Sequence, residues 1–515
     1  MQKNDVFEGA VTAFGSDGEG IIKTGGTTAF VPLCMLGEKV RAKALKVKGN
    51  IVYGKVESIL EPSKERVTPP CPVFGKCGGC DLQHMSYPAQ LEFKRGQVEG
   101  ALSKIGGIYA AVNAVVPCDK QFRYRNKLAL PVGVDSNGET VLGFYAQRSH
   151  RIVPAADCLI QSEWYKDIVA AVKRYADMCR LNGYDEQTRT GELRQIVVRE
   201  IKGKFIVAVV ATRRINLEPF AVELEKIFKN FTLLLNVNNT TSNVIFSKEW
   251  HICRGEGTFE AEERGIKYVA GANTFIQVND GVREKLYSRV IEEVGEADVA
   301  IDLYSGGGLL TAMLAKACGR AYGVEVVEEA SRCADALAQS NGLKEIMTNI
   351  CGKVEDEIDK VMSATSGKRR VIVCDPPRKG MERSVVKKIA QSGAEKIVLI
   401  SCNPATLARD LGLLTGTLRE SPDGALIKTP ASGAPSATVG NSAAQTVQPS
   451  QFSTSNGSYG VTAPNAPANS NAQSPSNASR AKYDCTPRYK ITCIQPFDMF
   501  ANSKHVETLV TLCKE

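Results

Sequence analysis

No apolar run in this 515-residue chain approaches the roughly 20 residues that a membrane-spanning helix needs. The opening residues, Met1-Gln2-Lys3-Asn4-Asp5, lead into no apolar signal-peptide core, so a cytoplasmic location is expected. Nowhere does Gly-Lys precede Ser or Thr, which argues against a phosphate-gripping P-loop. A full G-x-G-x-x-G is also missing, which weakens NAD as a ligand. Charge itself vanishes late in the chain, where no Lys, Arg, Asp or Glu lies between Lys428 and Arg480. That stretch is mostly Ser, Ala, Asn, Pro, Gly, Thr and Gln. It cannot bury enough apolar surface to offset its ordering entropy, so a disordered insert is expected at about residues 420–482.

The rest has the composition of an ordinary folded protein, 43% apolar and 23% charged, and its length implies two or three domains. A net charge of +8 and a pI near 8.6 permit a polyanionic partner without requiring one. Sixteen cysteines is a high count, and in a reducing compartment clustered cysteines read as metal ligands or catalysts before disulfides.

Three regions follow from patterning. Residues 1–60 alternate apolar and polar positions between glycine turns, as in Val40-Arg41-Ala42-Lys43-Ala44, which predicts a small OB-like β-barrel decorated by Lys39, Arg41, Lys43, Lys46 and Lys48. Residues 61–270 read as a mixed α/β central region with strands near 195–199 and 205–210. From residue 271 to 515 strands and helices alternate: apolar runs at 299–303, 321–325, 371–375 and 397–400 are separated by helical stretches. That rhythm predicts the α/β class, a Rossmann-like doubly wound parallel sheet. Residues 489–500 resume folded sequence, making the insert an excursion between core strands.

Chemistry-bearing residues gather where these strands end, the edge at which such sheets hold ligands. Asp302-Leu303-Tyr304-Ser305-Gly306-Gly307-Gly308 ends one strand with a glycine turn that allows close backbone approach to a ligand. Glu325 ends the next, placed to accept hydrogen bonds from ribose hydroxyls, and Tyr304 could pack along the same ligand. Asp375-Pro376-Pro377-Arg378 stiffens the chain past a third strand and leaves carbonyls free of competing N–H groups. Cys402 follows a fourth and precedes Asn-Pro, a sharp turn, with Arg409 nearby in sequence as a possible aid to a thiolate. Glu507, in His505-Val506-Glu507, could be the carboxylate base that a thiol nucleophile needs. Separately, Cys71-x5-Cys77-x2-Cys80 is a metal-ligand spacing, with Cys158 the best fourth candidate. Four thiolates suit zinc or an iron–sulfur cluster equally.

Together these segments resemble the RNA uracil-5 methyltransferase family. Residues 275–279 resemble its F-x-Q-V-N, 302–308 its D-L-[FY]-[CS]-G-x-G, 375–378 its D-P-P-R and 401–410 its S-C-N-P-x-T-L-A-R-D. Residues 498–507 resemble D-M-F-P-x-T-x-H-V-E, with Ala501 and Ser503 in place of proline and threonine. The resemblance implies S-adenosylmethionine as cofactor, bound by Gln277, Tyr304, Glu325 and Asp375, with Cys402 as nucleophile and Glu507 as base. It implies an N-terminal TRAM domain and a 4Fe-4S cluster on Cys71, Cys77, Cys80 and Cys158. Residues 122–127 and 148–151 resemble central RNA-binding segments. The implied substrate is uridine in 23S ribosomal RNA, with no membrane and no obligatory protein partner. The alternatives are a transfer-RNA uridine-5 methyltransferase and a non-catalytic RNA-binding iron–sulfur protein.

Overall fold

Alternating side chains close the first five strands on themselves. In the computed structural model, which describes residues 1–429 and 489–515, β1 (Val6–Phe14), β2 (Gly20–Thr24), β3 (Thr27–Val31), β4 (Lys39–Lys48) and β5 (Ile51–Glu61) form a closed barrel in the order 1-2-3-5-4. Its interior is small and apolar, with Phe7, Val11, Ile22, Val31, Val40 and Val52 buried. The alternate residues Lys39, Arg41, Lys46 and Lys48 face outward. Glu38 is buried at the seam and ion-paired with Arg66, which also donates to the Leu33 carbonyl at 2.8 Å.

The central sheet holds β6 (Lys127–Val134), β7 (Thr140–Tyr145), β8 (Ile152–Pro154), β9 (Leu193–Ile201), β10 (Lys204–Ala211), β11 (Phe231–Val237) and β12 (Trp250–Arg254), in the order 12-11-10-9-6-7-8. One face packs on helices Tyr165–Cys179 and Glu218–Glu225 through Ile168, Val172, Phe220 and Leu224. The opposite face, through Val197, Ile206 and Ala208, shares a core with the last part of the chain. A hairpin of β13 (Thr258–Glu263) and β14 (Ile266–Gly271) joins the two.

The second seven-stranded sheet carries β15 (Val299–Leu303), β16 (Ala321–Glu325), β17 (Met347–Cys351), β18 (Arg370–Cys374) and β19 (Lys396–Ser401). Its apolar strand interiors are covered on both faces by helices, as parallel strands require. After a short hairpin of β20 (Leu418–Glu420) and β21 (Leu426–Lys428), the chain returns to the sheet as β22 (Tyr489–Phe497) and β23 (Glu507–Lys514). The order is 17-16-15-18-19-23-22, parallel throughout except where β23 runs antiparallel to both neighbours. This is the doubly wound sheet that the strand–helix rhythm predicts.

Two departures follow. The expected disorder does not begin at 420, because β20 and β21 pair and Ser421 closes their turn by accepting from Gly424 N at 2.8 Å. The remainder of that expectation, from 430 onward, lies outside the described residues. Residues 87–116, far upstream in sequence, pack on the second sheet. Val98 and Leu102 of helix Tyr87–Ala101 and its π-helical extension share a core with Ile301, Ile372 and Leu399. Val116 then pairs with Phe497 alongside β22.

Candidate active site at the strand ends

Antiparallel pairing of β19 with β23 brings together two residues 105 positions apart. Ser401 is in register with Thr508, so Cys402, just past the end of β19, lies beside Glu507, the first residue of β23. Glu507 is buried, 2% exposed, while Cys402 is half-buried. Asp375, just past β18, faces the same space, as does Arg378, whose guanidinium is near enough to the thiol to favour its ionised form. Burial raises the Cys402 thiol above its ordinary range, and Glu507 and Asp375 raise it further, while Arg378 opposes them. Burial and the nearby Asp375 likewise hold the Glu507 carboxyl well above the usual range, again with Arg378 in opposition. Desolvation pushes Asp375 up to about 7. The pocket therefore holds two carboxyls, one thiol and one cation that favours the ionised forms of Cys402 and Glu507.

The turns around this space brace one another. Asn403 caps helix Pro404–Thr415 by accepting from Ala405 N at 3.0 Å, and its side-chain amide donates to the Arg378 carbonyl at 3.1 Å. Arg409 does not reach the thiol. It is ion-paired with Asp410 and donates to the Met381 carbonyl at 2.8 Å, while Asp410 accepts from Met381 N at 3.0 Å. Arg409 thus shapes the turn after Asp375.

Along the same edge, Tyr304 directly follows β15 with φ of 72°, a strained value for an aromatic residue, and its N–H donates to Val324 O at 3.0 Å. Gly308 has φ of 82°, and a Cβ there would meet Ala334 Cβ at 2.6 Å, so no larger residue fits. A Cβ on Gly306 or Gly307 would meet nothing within 4 Å, which leaves backbone open to a ligand. Glu325 accepts from Gly306 N at 2.9 Å and Val327 N at 2.7 Å, so one carboxylate orients the glycine turn. Beneath it, Asp302 accepts from Thr311 Oγ1 at 2.6 Å, and burial pushes it up to about 7. Gln277 is buried just before helix Asp280–Val294, and its carbonyl accepts from Asn126 Nδ2 at 3.1 Å.

A family model described as tRNA (Uracil-5-)-methyltransferase matches residues 192–423. An uncharacterized RNA methyltransferase of Halalkalibacterium halodurans is 37% identical over 425 residues, covering 80% of this chain and 92% of the relative. Relatives described in the same words from Clostridium acetobutylicum and Listeria monocytogenes are each 37% identical, covering 81% of this chain and 92% of the relative. The chain belongs to the RNA uracil-5 methyltransferase family. Its fold is also that of the crystal structure of Pyrococcus abyssi tRNA (uracil-54, C5)-methyltransferase with S-adenosyl-L-homocysteine. That match has a TM-score of 0.68 at 22% identity and covers 98% of this chain and 99% of the other.

For this family member the cysteine motif also finds a place. Cys71, Cys77, Cys80 and Cys158 line one cavity of about 380 Å³. Gly79 N–H donates to Cys77 Sγ at 3.3 Å, and Gln161 N–H closes the turn after Cys158 by donating to its carbonyl at 3.0 Å. Among the described residues no group of three or more His, Cys, Asp or Glu is placed to hold a single metal ion. The thiols ring a space instead of converging on a point.

Lys94, Tyr87 and Gln90, which no sequence motif marked, complete the frame. Buried Lys94 is ion-paired with buried Asp498 and donates to Phe500 O at 3.0 Å. Tyr87 OH donates to Asp498 Oδ2 at 2.8 Å. Asn502, with φ of 66°, accepts from Gln90 Nε2 at 3.3 Å and donates to Gln121 O at 2.7 Å. These contacts hold the loop that leads into Glu507.

Proposed function

We propose that this chain methylates carbon-5 of a uridine in 23S ribosomal RNA, with S-adenosylmethionine as methyl donor. The observation that carries the reading is the β19–β23 pairing, which sets the Cys402 thiol beside the buried Glu507 carboxyl at the ligand edge of the sheet. Carbon-5 of uracil is too weak a nucleophile to take a methyl group unaided. Cys402, as thiolate, adds to carbon-6, and the displaced electron pair gives carbon-5 the character of an enolate that bonds to the methyl. The cofactor supplies that methyl as an electrophilic sulfonium. Glu507 then takes the proton from carbon-5, the carbon–sulfur bond breaks and the thiolate is restored. One methyl replaces one proton, and that proton leaves on Glu507.

Gln277, Tyr304, Glu325 and Asp375 are assigned to the cofactor. The glycine turn that Glu325 orients, open at Gly306 and Gly307, supports that assignment. Because a base must leave its stack to be reached, the substrate is a loop or splayed nucleotide. Outward Lys39, Lys46 and Lys48 on the barrel, read as a TRAM domain, support an RNA-facing role there. Cys71, Cys77, Cys80 and Cys158 are assigned to a 4Fe-4S cluster. The ringed cavity and the Gly79 N–H at the Cys77 sulfur support a cluster over a lone zinc, whose ligands must meet at one point about 2.3 Å from each sulfur. Bound there, it would tie residues 71–80 to Cys158.

Transfer RNA is the second reading, favoured by the Pyrococcus abyssi enzyme, which shares this fold over 98% of the chain, barrel included. Transfer of labelled methyl to unmodified 23S RNA and to transfer RNA, with the product mapped by mass spectrometry, separates the two. 5-Methyluridine in 23S RNA is expected. Label in transfer RNA alone would keep the mechanism and replace the substrate. Label in neither, with cofactor bound, would favour a binding protein.

A further inference from the structure

The segment Phe122-Arg123-Tyr124-Arg125-Asn126-Lys127 resembles an RNA-binding stretch, yet its side chains are occupied inside the protein. Arg123 is paired with Asp157 at 2.7 and 2.8 Å. Tyr124 OH donates to Ala501 O at 3.1 Å, and Asn126 Nδ2 donates to Gln277 O and to Asp280 Oδ1 at 2.7 Å. The two remaining cations, Arg125 and Lys127, line the cavity of the four cysteines.

Their charge is uncompensated. Among the described residues no carboxylate lies within ion-pair distance of either, and Arg125 Nε is buried without a hydrogen-bond partner. Asp157, on the same wall, is already held by Arg123 and by Lys166 at 3.3 Å. Behind Lys127, directly opposite in register, stands Arg199, 1% exposed, with Nε and Nη1 unpartnered and Nη2 donating to Thr274 O at 2.6 Å. Like charges opposed across a strand pair destabilise it, and a buried guanidinium lacking an anion costs more. Arg125 and Lys127 border this space with no ion-paired acid and with Arg199 behind them, an arrangement that makes sense if an anion belongs there.

We propose that Arg125 and Lys127, backed by Arg199, are the counter-charge for the anionic iron–sulfur group held by Cys71, Cys77, Cys80 and Cys158, and that residues 122–127 serve this cavity and not RNA. The inference rests on the cluster assignment above. A cubane core with four thiolates is a net anion, more so when reduced, and cations beside such a cluster stabilise the reduced form. Removing one should therefore lower the midpoint potential, which nothing in a merely steric role would do.

The test uses the full chain purified anaerobically, with iron and acid-labile sulfide measured and the midpoint read by dye-mediated titration with dithionite. Lys127→Gln is expected to shift the midpoint to more negative values, Lys127→Arg to leave it at the wild-type value, and Lys127→Gln combined with Arg125→Gln to release iron to a chelator several-fold faster. Full iron content with an unmoved midpoint in both the Gln variant and the double variant would overturn the proposal. So would equal loss of iron from Lys127→Gln and Lys127→Arg, since shape and not charge would then be what matters. Loss from the Gln variant alone supports it. Wild-type protein without iron and sulfide would overturn the cluster assignment itself, and this proposal with it.

Discussion

The carbonyl of Asn502 accepts hydrogen bonds from the N–H groups of Asp81, at 2.9 Å, and Leu82, at 3.0 Å. Asp81 directly follows Cys80, and Asn502 lies five residues before Glu507, so the turn of the cysteine motif is bonded to the loop that carries the proposed base. Lys504 tightens the link, its N–H donating to Asp81 Oδ2 at 3.2 Å and its ammonium to Asp17 Oδ1 of the barrel at 2.9 Å. Barrel, cysteine turn and catalytic sheet therefore meet on one loop.

Asn502→Gly keeps the left-handed backbone and deletes the side-chain bonds to Gln90 and Gln121. Stability is expected to fall by about 1–3 kcal/mol, the cost of leaving buried polar partners unmet. Methyl transfer should fall while cofactor affinity holds, which denaturant unfolding and S-adenosylhomocysteine titration would check.

Lys94→Met strands Asp498 in the interior. A loss of about 3–5 kcal/mol is expected from breaking a fully buried pair, and adding Asp498→Leu should recover part of it because no unpaired charge then remains. Chemical denaturation of the single and double variants measures both.

Glu507→Gln leaves Cys402 able to add and carbon-5 able to accept a methyl, but nothing to take the proton. Turnover should drop about 10²–10⁴-fold, and a covalent RNA–protein adduct that survives denaturing gels should accumulate. Cys402→Ser should abolish the adduct. An adduct absent from both would sink the proposed order of steps.

The pH dependence of methyl transfer follows from the thiol. Cys402 lies above its ordinary 9.0, so only a small fraction is thiolate at neutral pH, and the rate should climb about tenfold per unit from neutral towards 9. Glu507, also held high, ionises in the same direction and reinforces the climb. Arg378→Met removes the cation that favours both charged forms and should move the whole profile to higher pH.

Asp302 gives a stability test with a definite sign. Its folded value, about 7, lies above the ordinary 3.8, so the folded state retains a proton that the unfolded chain releases, and the stability it contributes is lost as pH rises between those values. Asp302→Asn keeps an acceptor for Thr311 and removes the titration. Relative to wild type, the variant should gain stability at about 1.4 kcal/mol per pH unit across that window, as thermal unfolding would show.

The catalytic sheet was legible because its interior strands are bare apolar runs, such as Ile397-Val398-Leu399-Ile400, closed by short polar signatures. Edge strand β17 was not, since Met347-Thr348-Asn349-Ile350-Cys351 has neither strong alternation nor a full apolar run. The β20–β21 hairpin was hidden by the charge-free composition that begins at its last residue. Helix Tyr87–Ala101 carries no motif, and its Gln90 and Lys94 are buried because Asn502 and Asp498 supply their partners from near the other end of the chain. Cys402, Glu507, Asp375 and Gln277 could be picked out from motifs. Asn502 and the inward aim of Arg125 and Lys127 depend on tertiary neighbours that no local pattern encodes.

The chain leaves the described core after β21, where Thr429 is bonded to Thr417 and Gly416 at the far end of helix Pro404–Thr415, roughly 18 Å of helix from Cys402. It re-enters at Tyr489, paired with Lys514 at the opposite end of β22 from Phe497 and Glu507. Both crossing points lie on the edge of the sheet away from the chemistry. Severing the chain between them would put the thiol on one polypeptide and the carboxyl on another, joined by the β19–β23 seam and by the contacts of Phe497, Asp498 and Asn502 with residues 81–121. The enzyme could then be run as a long piece and a short C-terminal piece, made separately, whose activity measures their reunion.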